Sequence, residues 1–179
     1  GAQERYGVVP DLATYGKTIS GGYPSAAICG RADLLETANP RRKPYPADPQ
    51  SIIASGTFNG NPTMAVAGRA TMEALTPAVF TELAALGQYA RDGLVRITAG
   101  MPLQVTGAGS LFKVTATGRT LHDYRDAATS DKAWEALASL ALLNEGFLLT
   151  TTLSGCVSTV TTRADVDALL AAFRKVVAT

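Results

Sequence analysis

Histidine is nearly absent from this sequence: His122 is the only one in 179 residues. A zinc site built on several imidazoles is therefore excluded within the chain. A Ser-His-Asp triad would have to use His122, which sits in a polar run with no nucleophile-elbow pattern near any serine. It reads as an exposed loop histidine. Cysteine is scarce too. Cys29 and Cys156 stand far apart and fit no metal-ligand spacing, so no metal site is expected. Both read as reduced, buried small residues of a cytosolic (cytoplasmic) protein rather than as a disulfide. Charge is sparse and balanced. With 17% charged residues and a net charge of +1, no single-sign excess is left to attract nucleic acid or an anionic membrane. No apolar run is long enough to span a bilayer, and no signal-peptide pattern opens the chain.

What is present has a globular balance, with 46% hydrophobic residues and a length suited to one domain or two small ones. With histidine set aside, lysine is the best available general base. One lysine stands out. The stretch Asp11-Leu12-Ala13-Thr14-Tyr15-Gly16-Lys17-Thr18-Ile19-Ser20-Gly21-Gly22 carries Lys17 directly after a glycine and ahead of a Ser-Gly-Gly turn. Glycine on both sides lets backbone approach a bound molecule closely, because no Cβ intervenes. Lysine forms Schiff bases with carbonyl compounds, and its pKa falls when it is desolvated or set near other positive charge. The same pattern is common in solvated loops, so spacing alone leaves both readings open.

Ser55-Gly56-Thr57-Phe58-Asn59-Gly60-Asn61-Pro62 is the second informative stretch. Glycines and a hydroxyl ahead of a helix start make a place for phosphate, through backbone N–H groups and the helix dipole. The same residues also serve as plain capping, with Asn61 as N-cap and Pro62 at the first helical position. Both readings can hold at once.

Around these stretches the chain reads as alternating short strands and helices. Residues 8–15 form a turn into the strand that delivers Lys17, and 25–30 a small, apolar, buried strand. A short helix over 32–38 is followed by 39–50, where four prolines and three basic residues preclude regular structure. That segment is an exposed loop, or else a lid or subunit contact using Arg41, Arg42 and Lys43. A helix over 63–75 turns Met64, Ala67, Thr71, Met72 and Leu75 to one side. Thr76-Pro77 then breaks the chain into domains, 1–76 and 77–179. A longer helix over 78–99 repeats Val79, Leu83, Leu86, Ala90, Leu94 and Ile97 at helical spacing, which is core. Strands over 103–106 and 110–116 meet at Gly107-Ala108-Gly109. Strand rather than helix follows that Gly-x-Gly, so it is not a dinucleotide fingerprint. Ser130 caps a helix through Asn144 with Trp134, Leu137 and Ala141 inward, and 147–150 and 156–160 are β-rich. Thr162-Arg163-Ala164-Asp165 forms a capping box before a last helix burying Val166, Leu169, Leu170, Phe173 and Val177.

Pro10-Asp11-Leu12, then Gly16-Lys17, then Gly21-Gly22-Tyr23-Pro24 resembles the cofactor-lysine segment of class III pyridoxal-phosphate aminotransferases. Leu121-His122-Asp123-Tyr124-Arg125-Asp126-Ala127 with Ser130-Asp131 is similar to their glutamate-1-semialdehyde aminomutase branch, which groups with the β-amino-acid aminotransferases. The resemblance covers nearly the whole chain. It implies an α/β fold of the type I pyridoxal-phosphate transferases: the end of the large-domain mixed sheet (1–76) plus a C-terminal α+β small domain (77–179). It implies that Lys17 holds pyridoxal 5'-phosphate as an internal aldimine. It further implies that Thr57 reaches the cofactor phosphate of the other subunit of a homodimer, with Gly56 supporting through backbone. The family has a long N-terminal half carrying the pyridine-nitrogen and ring-stacking residues, so Gly1 reads as a point inside a longer protein. The 39–50 connection is longer than in the aminomutase pattern, and its role does not transfer.

One departure concerns the substrate. Where the β-amino-acid branch carries a carboxylate-binding arginine and the aminomutase branch an acidic residue, this sequence has Thr150-Thr151-Thr152-Leu153-Ser154-Gly155. The resemblance implies amino-group transfer between a small-molecule amino donor and a keto acceptor. Lys17, once released, takes the α-proton and returns it. The alternatives are an aminomutase or racemase on the same scaffold, or a non-catalytic fragment.

Overall fold

The computed structural model describes residues 2–44, 46–53 and 56–178. The chain divides into two compact units, Gly1–Thr76 and Pro77–Thr179.

In the first unit, helix α1 (Ala2–Tyr6) precedes strand β1 (Leu12–Tyr15), a 3₁₀ turn (Lys17–Ser20) and strand β2 (Ala27–Gly30). β1 and β2 pair antiparallel, with Leu12 opposite Gly30 and Tyr15 opposite Ala27. The strand expected to be buried over 25–30 is instead half of a two-stranded ribbon, and Ile28 is 61% exposed. Two strands alone cover neither of their faces. Cys29 is exposed for the same reason. Cys156 is exposed as well, at the end of an outer strand, and both thiols are free. The expected burial of the two cysteines is thus corrected.

Arg31 forks between β1 and helix α2 (Ala32–Leu35), with Nη1 2.9 Å from Asp11 Oδ1 and Nη2 2.6 Å from Asp33 Oδ2. Its guanidinium holds the Asp33 carboxyl below the usual carboxylate range. All three side chains are exposed, so this clamp adds little stability. The 39–50 loop has no helix or strand among its described residues and is stapled by Arg42 Nε donating to Asp48 Oδ2 at 2.7 Å. Tyr45 in this loop, and Ser55 in the glycine-rich stretch, lie outside the described residues. Helix α3 (Pro62–Ala74) starts as its sequence requires: Asn61 is the N-cap, its Oδ1 accepting from Thr63 N–H at 2.9 Å, and Pro62 needs no partner at the first position. α3 packs against the Lys17–Ser20 turn through Met64 and Gly68. Because a single short turn covers it, the buried stripe is narrow, and Met72, expected inward, is exposed.

The second unit contains α4 (Pro77–Ile97), β3 (Gln104–Thr106), β4 (Leu111–Thr115), α5 (Tyr124–Ala128), α6 (Lys132–Asn144), β5 (Ser154–Cys156) and α7 (Arg163–Val177). Its sheet runs β3-β4-β5, antiparallel throughout, with Val105 opposite Val114 and Phe112 opposite Gly155. The core draws Ala90 and Leu94 from α4, Phe112 and Val114 from β4, Leu142 from α6 and Phe173 from α7. The periodicity read from sequence for α7, and that for α4 from Leu83 onward, are those the core uses, while Val79 is only half-buried and outside it. Gly107 and Gly109 form the β3–β4 turn. Gly107 has φ +150°, and a Cβ there would meet Leu111 O at 2.2 Å. The capping box of α7 is present: Asp165 N–H donates to Thr162 Oγ1 and Thr162 N–H to Asp165 Oδ2. Hydrogen bonds from the Thr162 N–H, then from its hydroxyl, hold the Asp165 carboxyl below its usual range. A depressed carboxylate pKa contributes stability above its unfolded value and loses it as pH falls through the folded one.

Helix α6 departs from expectation in phase. Its N-cap is Asp131, whose Oδ1 accepts from Trp134 N–H at 2.9 Å, not Ser130. Asp131 N–H donates to Ala116 O (2.9 Å), and Glu135 Oε1 accepts from Ala116 N–H (3.1 Å). These two bonds decide which side of α6 meets the end of β4. Glu135, Ala138, Ser139 and Leu142 are buried, while Leu137, expected inward, is 67% exposed. Glu135 is fully buried, and its other oxygen lies 3.4 Å from the half-exposed Lys132 Nζ. Glu135→Ala should destabilise by about 2–4 kcal/mol, combining an orphaned Ala116 N–H with a cavity. Lys132→Ala should cost under about 1 kcal/mol. Chemical denaturation of both variants checks this contrast. The β-rich segments shrink to Ser154–Cys156, because residues 150–154 turn back on themselves, and Val160 is exposed.

Candidate active site

Lys17 enters its turn from an extended Gly16 and adopts φ +57°. It is one of two non-glycine residues with positive φ among those described, the other being Leu153. That conformation costs an L-residue about 1–2 kcal/mol, so the surroundings must enforce it. Part of the enforcement is local. Ser20 is buried, and its Oγ donates to Lys17 O at 2.7 Å. Gly21, at φ +61°, closes the turn by donating its N–H to Thr18 O at 3.1 Å.

The Lys17 side chain is exposed, and among the described residues its amine has no hydrogen-bond or ion-pair partner. It borders a cavity of about 530 Å³ lined by Lys17, Thr18, Gly21, Gly22, Tyr23 and Thr71. That size is in the range of small-molecule sites. An uncommitted amine beside a glycine-walled cavity can attack a carbonyl carbon or hold a proton. Gly22, at φ +90°, leaves open space where a Cβ would stand. A planar group can therefore approach the backbone beside Lys17, and the donor set suits an aldehyde-bearing ligand.

Gly56 and Thr57 are exposed and open the turn ahead of Asn61, in which Asn59 N–H donates to Gly56 O at 3.0 Å. Neither lines the Lys17 cavity. Within one chain, then, the cavity gathers Lys17 but not the other two residues singled out by sequence. The site adds three that sequence reasoning missed in this role, two on the cavity wall and one beneath it. Ser20 supports the lysine backbone, and Tyr23 and Thr71 line the cavity. The Ser-Gly-Gly spacing could have pointed to Ser20. Nothing in sequence joins Thr71 to Lys17.

In the second unit, the hydroxyl-rich turn is folded on itself. Thr150 Oγ1 accepts from Ser154 N–H (3.0 Å) and lies 3.1 Å from Thr152 Oγ1, while Leu153, at φ +53°, buries its side chain completely. A larger cavity, about 690 Å³, is lined by Leu103, Arg119, Asp131 and Trp134 among others, with no lysine, cysteine or histidine. His122 is exposed and engaged through its backbone N–H with Asp126 Oδ2. No group of three His, Cys, Asp or Glu among the described residues could hold a metal ion. No helix among them is long and apolar enough to cross a membrane.

The family model for class-III aminotransferases matches residues 1–177. The chain belongs to the class III aminotransferase family. Among curated relatives of this class III chain, the glutamate-1-semialdehyde 2,1-aminomutase of Methanothermobacter thermautotrophicus is 40% identical over 133 residues, covering 73% of this chain and 30% of that protein. Among solved structures, an omega-transaminase from Sphaerobacter thermophilus is 39% identical with a TM-score of 0.90, covering 99% of this chain and 40% of that one. A transaminase with PLP bound is 29% identical with a TM-score of 0.82, again over 99% of this chain and 40% of the other. The fold is thus that of the type I pyridoxal-phosphate transferases, and the class III chain spans less than half the length of the proteins it matches.

Proposed function

We propose that the intact protein is a pyridoxal-5'-phosphate-dependent aminotransferase, and that this chain supplies the lysine on which its chemistry turns. The observation that carries the reading is the left-handed, unpartnered Lys17 beside a glycine-walled cavity, in a chain matched to class III along nearly its whole length. Bound cofactor supplies an aldehyde for that amine and a ring that accepts the electron pair left when a proton departs. Lys17 Nζ would hold the cofactor through its aldehyde and, when free, would hold and return the proton of the amino donor. Tyr23 and Thr71 wall the space beside it. Gly56 and Thr57 supply backbone and hydroxyl contacts to phosphate ahead of the α3 N-terminus.

On this reading, residues 1–76 are the end of the cofactor-binding large domain and 77–179 the small domain. The active form is a homodimer, with Thr57 serving the partner's site. The absence of Gly56 and Thr57 from the Lys17 cavity of their own chain agrees with action across an interface. The substrates are a small-molecule amino donor and a keto acceptor, and the two free, exposed thiols suit a reducing cytoplasm. The aminomutase relative favours one alternative, intramolecular amino transfer by the same lysine.

Product analysis on the full-length protein decides between them. Given an isotopically labelled amine donor and a separate keto acid, nitrogen should appear in the acceptor, matched by ketone from the donor. Label confined to one rearranged substrate identifies the aminomutase. Protein that binds no cofactor and turns nothing over refutes both.

A further inference from the structure

The hydrogen bonds within the Lys17–Gly21 turn fix its shape but not its position. Position comes from α3, which meets the turn by reciprocal backbone contact. A Cβ at Gly68 would stand 2.6 Å from Ile19 O. A Cβ at Gly21 would stand 2.6 Å from Ala67 O and 2.9 Å from Thr71 Oγ1. Each element thus carries a glycine where the other presents a carbonyl, and the nearest opposing atoms are main chain, which cannot swing aside. α3 also begins at Asn61, directly after the Gly56–Gly60 segment, and supplies Thr71 to the cavity wall. With a rise of about 1.5 Å per residue, it is a ruler of about 9 Å from Pro62 to Gly68.

We propose that Gly68 is a positioning residue: by admitting the Ile19 carbonyl against α3, it sets where the Lys17 amine stands relative to Thr71, and Ser20 locks the lysine backbone there. This rests on the reading of Lys17 as the cofactor-bearing residue. Among the described residues, the atoms nearest a Cβ at Gly68 all belong to Ile19 and Ser20 of the turn. An exposed mid-helix glycine costs about 1 kcal/mol relative to alanine, so Gly68→Ala would be neutral or stabilising if the contact had no role. With the role, the turn must retreat by several tenths of an ångström, and misplacements approaching 1 Å cost on the order of 100-fold in rate.

The test uses the full-length holoenzyme. Gly68→Ala should lower kcat about 10- to 100-fold with the KM for amino donor changed little. It should also move the pH midpoint at which the visible absorption of lysine-bound cofactor titrates, since that absorption reports the geometry around Nζ. Unchanged kcat and midpoint overturn the proposal. Should Gly68→Ala fail to fold, Ser20→Ala decides, because it removes the Oγ bond to Lys17 O without adding bulk. A lowered kcat with a moved midpoint supports the lock, and a wild-type midpoint and kcat overturn it. Borohydride reduction of wild-type holoenzyme, with the modified peptide located by mass spectrometry, keeps the two readings apart. An adduct on Lys17 leaves only the Gly68 proposal in question, whereas an adduct elsewhere removes the reading on which it stands.

Discussion

Lys17→Ala in the full-length protein should abolish turnover, a loss of at least about 10³-fold, because it removes the covalent anchor and the proton carrier together. The borohydride-trapped adduct should vanish with it. Stability should respond differently. Alanine retains a Cβ and therefore the strain of φ +57°, so with cofactor stripped from both proteins Lys17→Ala should melt within about 0.5 kcal/mol of wild type, as surface substitutions do. Lys17→Gly relieves a strain of about 1–2 kcal/mol and loses roughly 0.5–1 kcal/mol to unfolded-state entropy. It should melt at or above the wild-type temperature while remaining inactive. A variant that is dead but no less stable is the signature of strain held for function. A lysine kept for structure would give the reverse, with activity surviving and stability falling. Calorimetry beside single-turnover kinetics separates the two, and an adduct that persists in Lys17→Ala contradicts the assignment.

The helices were legible where local chemistry and burial agree. Asn61-Pro62 opens α3 and Thr162 with Asp165 opens α7, because a cap is settled by residues within one turn of it. The apolar repeat of α4 survives for the same reason, since its period is a property of the helix alone. α6 was misread because Ala, Leu and Ser recur on all its faces, and its orientation is set by Glu135 and Asp131 reaching Ala116, some 15–19 residues away in sequence. Composition likewise could not show that Cys29 and Ile28 lie on an uncovered two-stranded ribbon. At the site, Lys17 stood out through its glycines. Its left-handed backbone, the Ser20 bond and the approach of Gly68 from about fifty residues downstream are tertiary facts, carried by no periodicity.

Thr57→Ala should weaken cofactor retention about 10- to 100-fold, since a hydrogen bond to a charged phosphate is worth about 1.5–3 kcal/mol. The direction in which Thr57 acts can be read by mixing subunits. A hybrid of one Lys17→Ala subunit with one Thr57→Ala subunit has two unlike sites if Thr57 serves its partner. The site on the Lys17→Ala subunit lacks both groups. The site on the Thr57→Ala subunit has its own lysine and the partner's intact threonine. Random reassembly of equal amounts makes about half the two-fold dimers hybrid, so about one quarter of all sites regain wild-type composition. At cofactor concentrations that leave Thr57→Ala homodimers largely empty, activity should return to about a quarter of wild type on mixing. If Thr57 acts within its own chain, no site in any hybrid carries both groups, and mixing restores nothing. The resemblance to the class III cofactor segments is what makes the first outcome the expected one, and the exposure of Thr57 outside the Lys17 cavity of its own chain agrees with it.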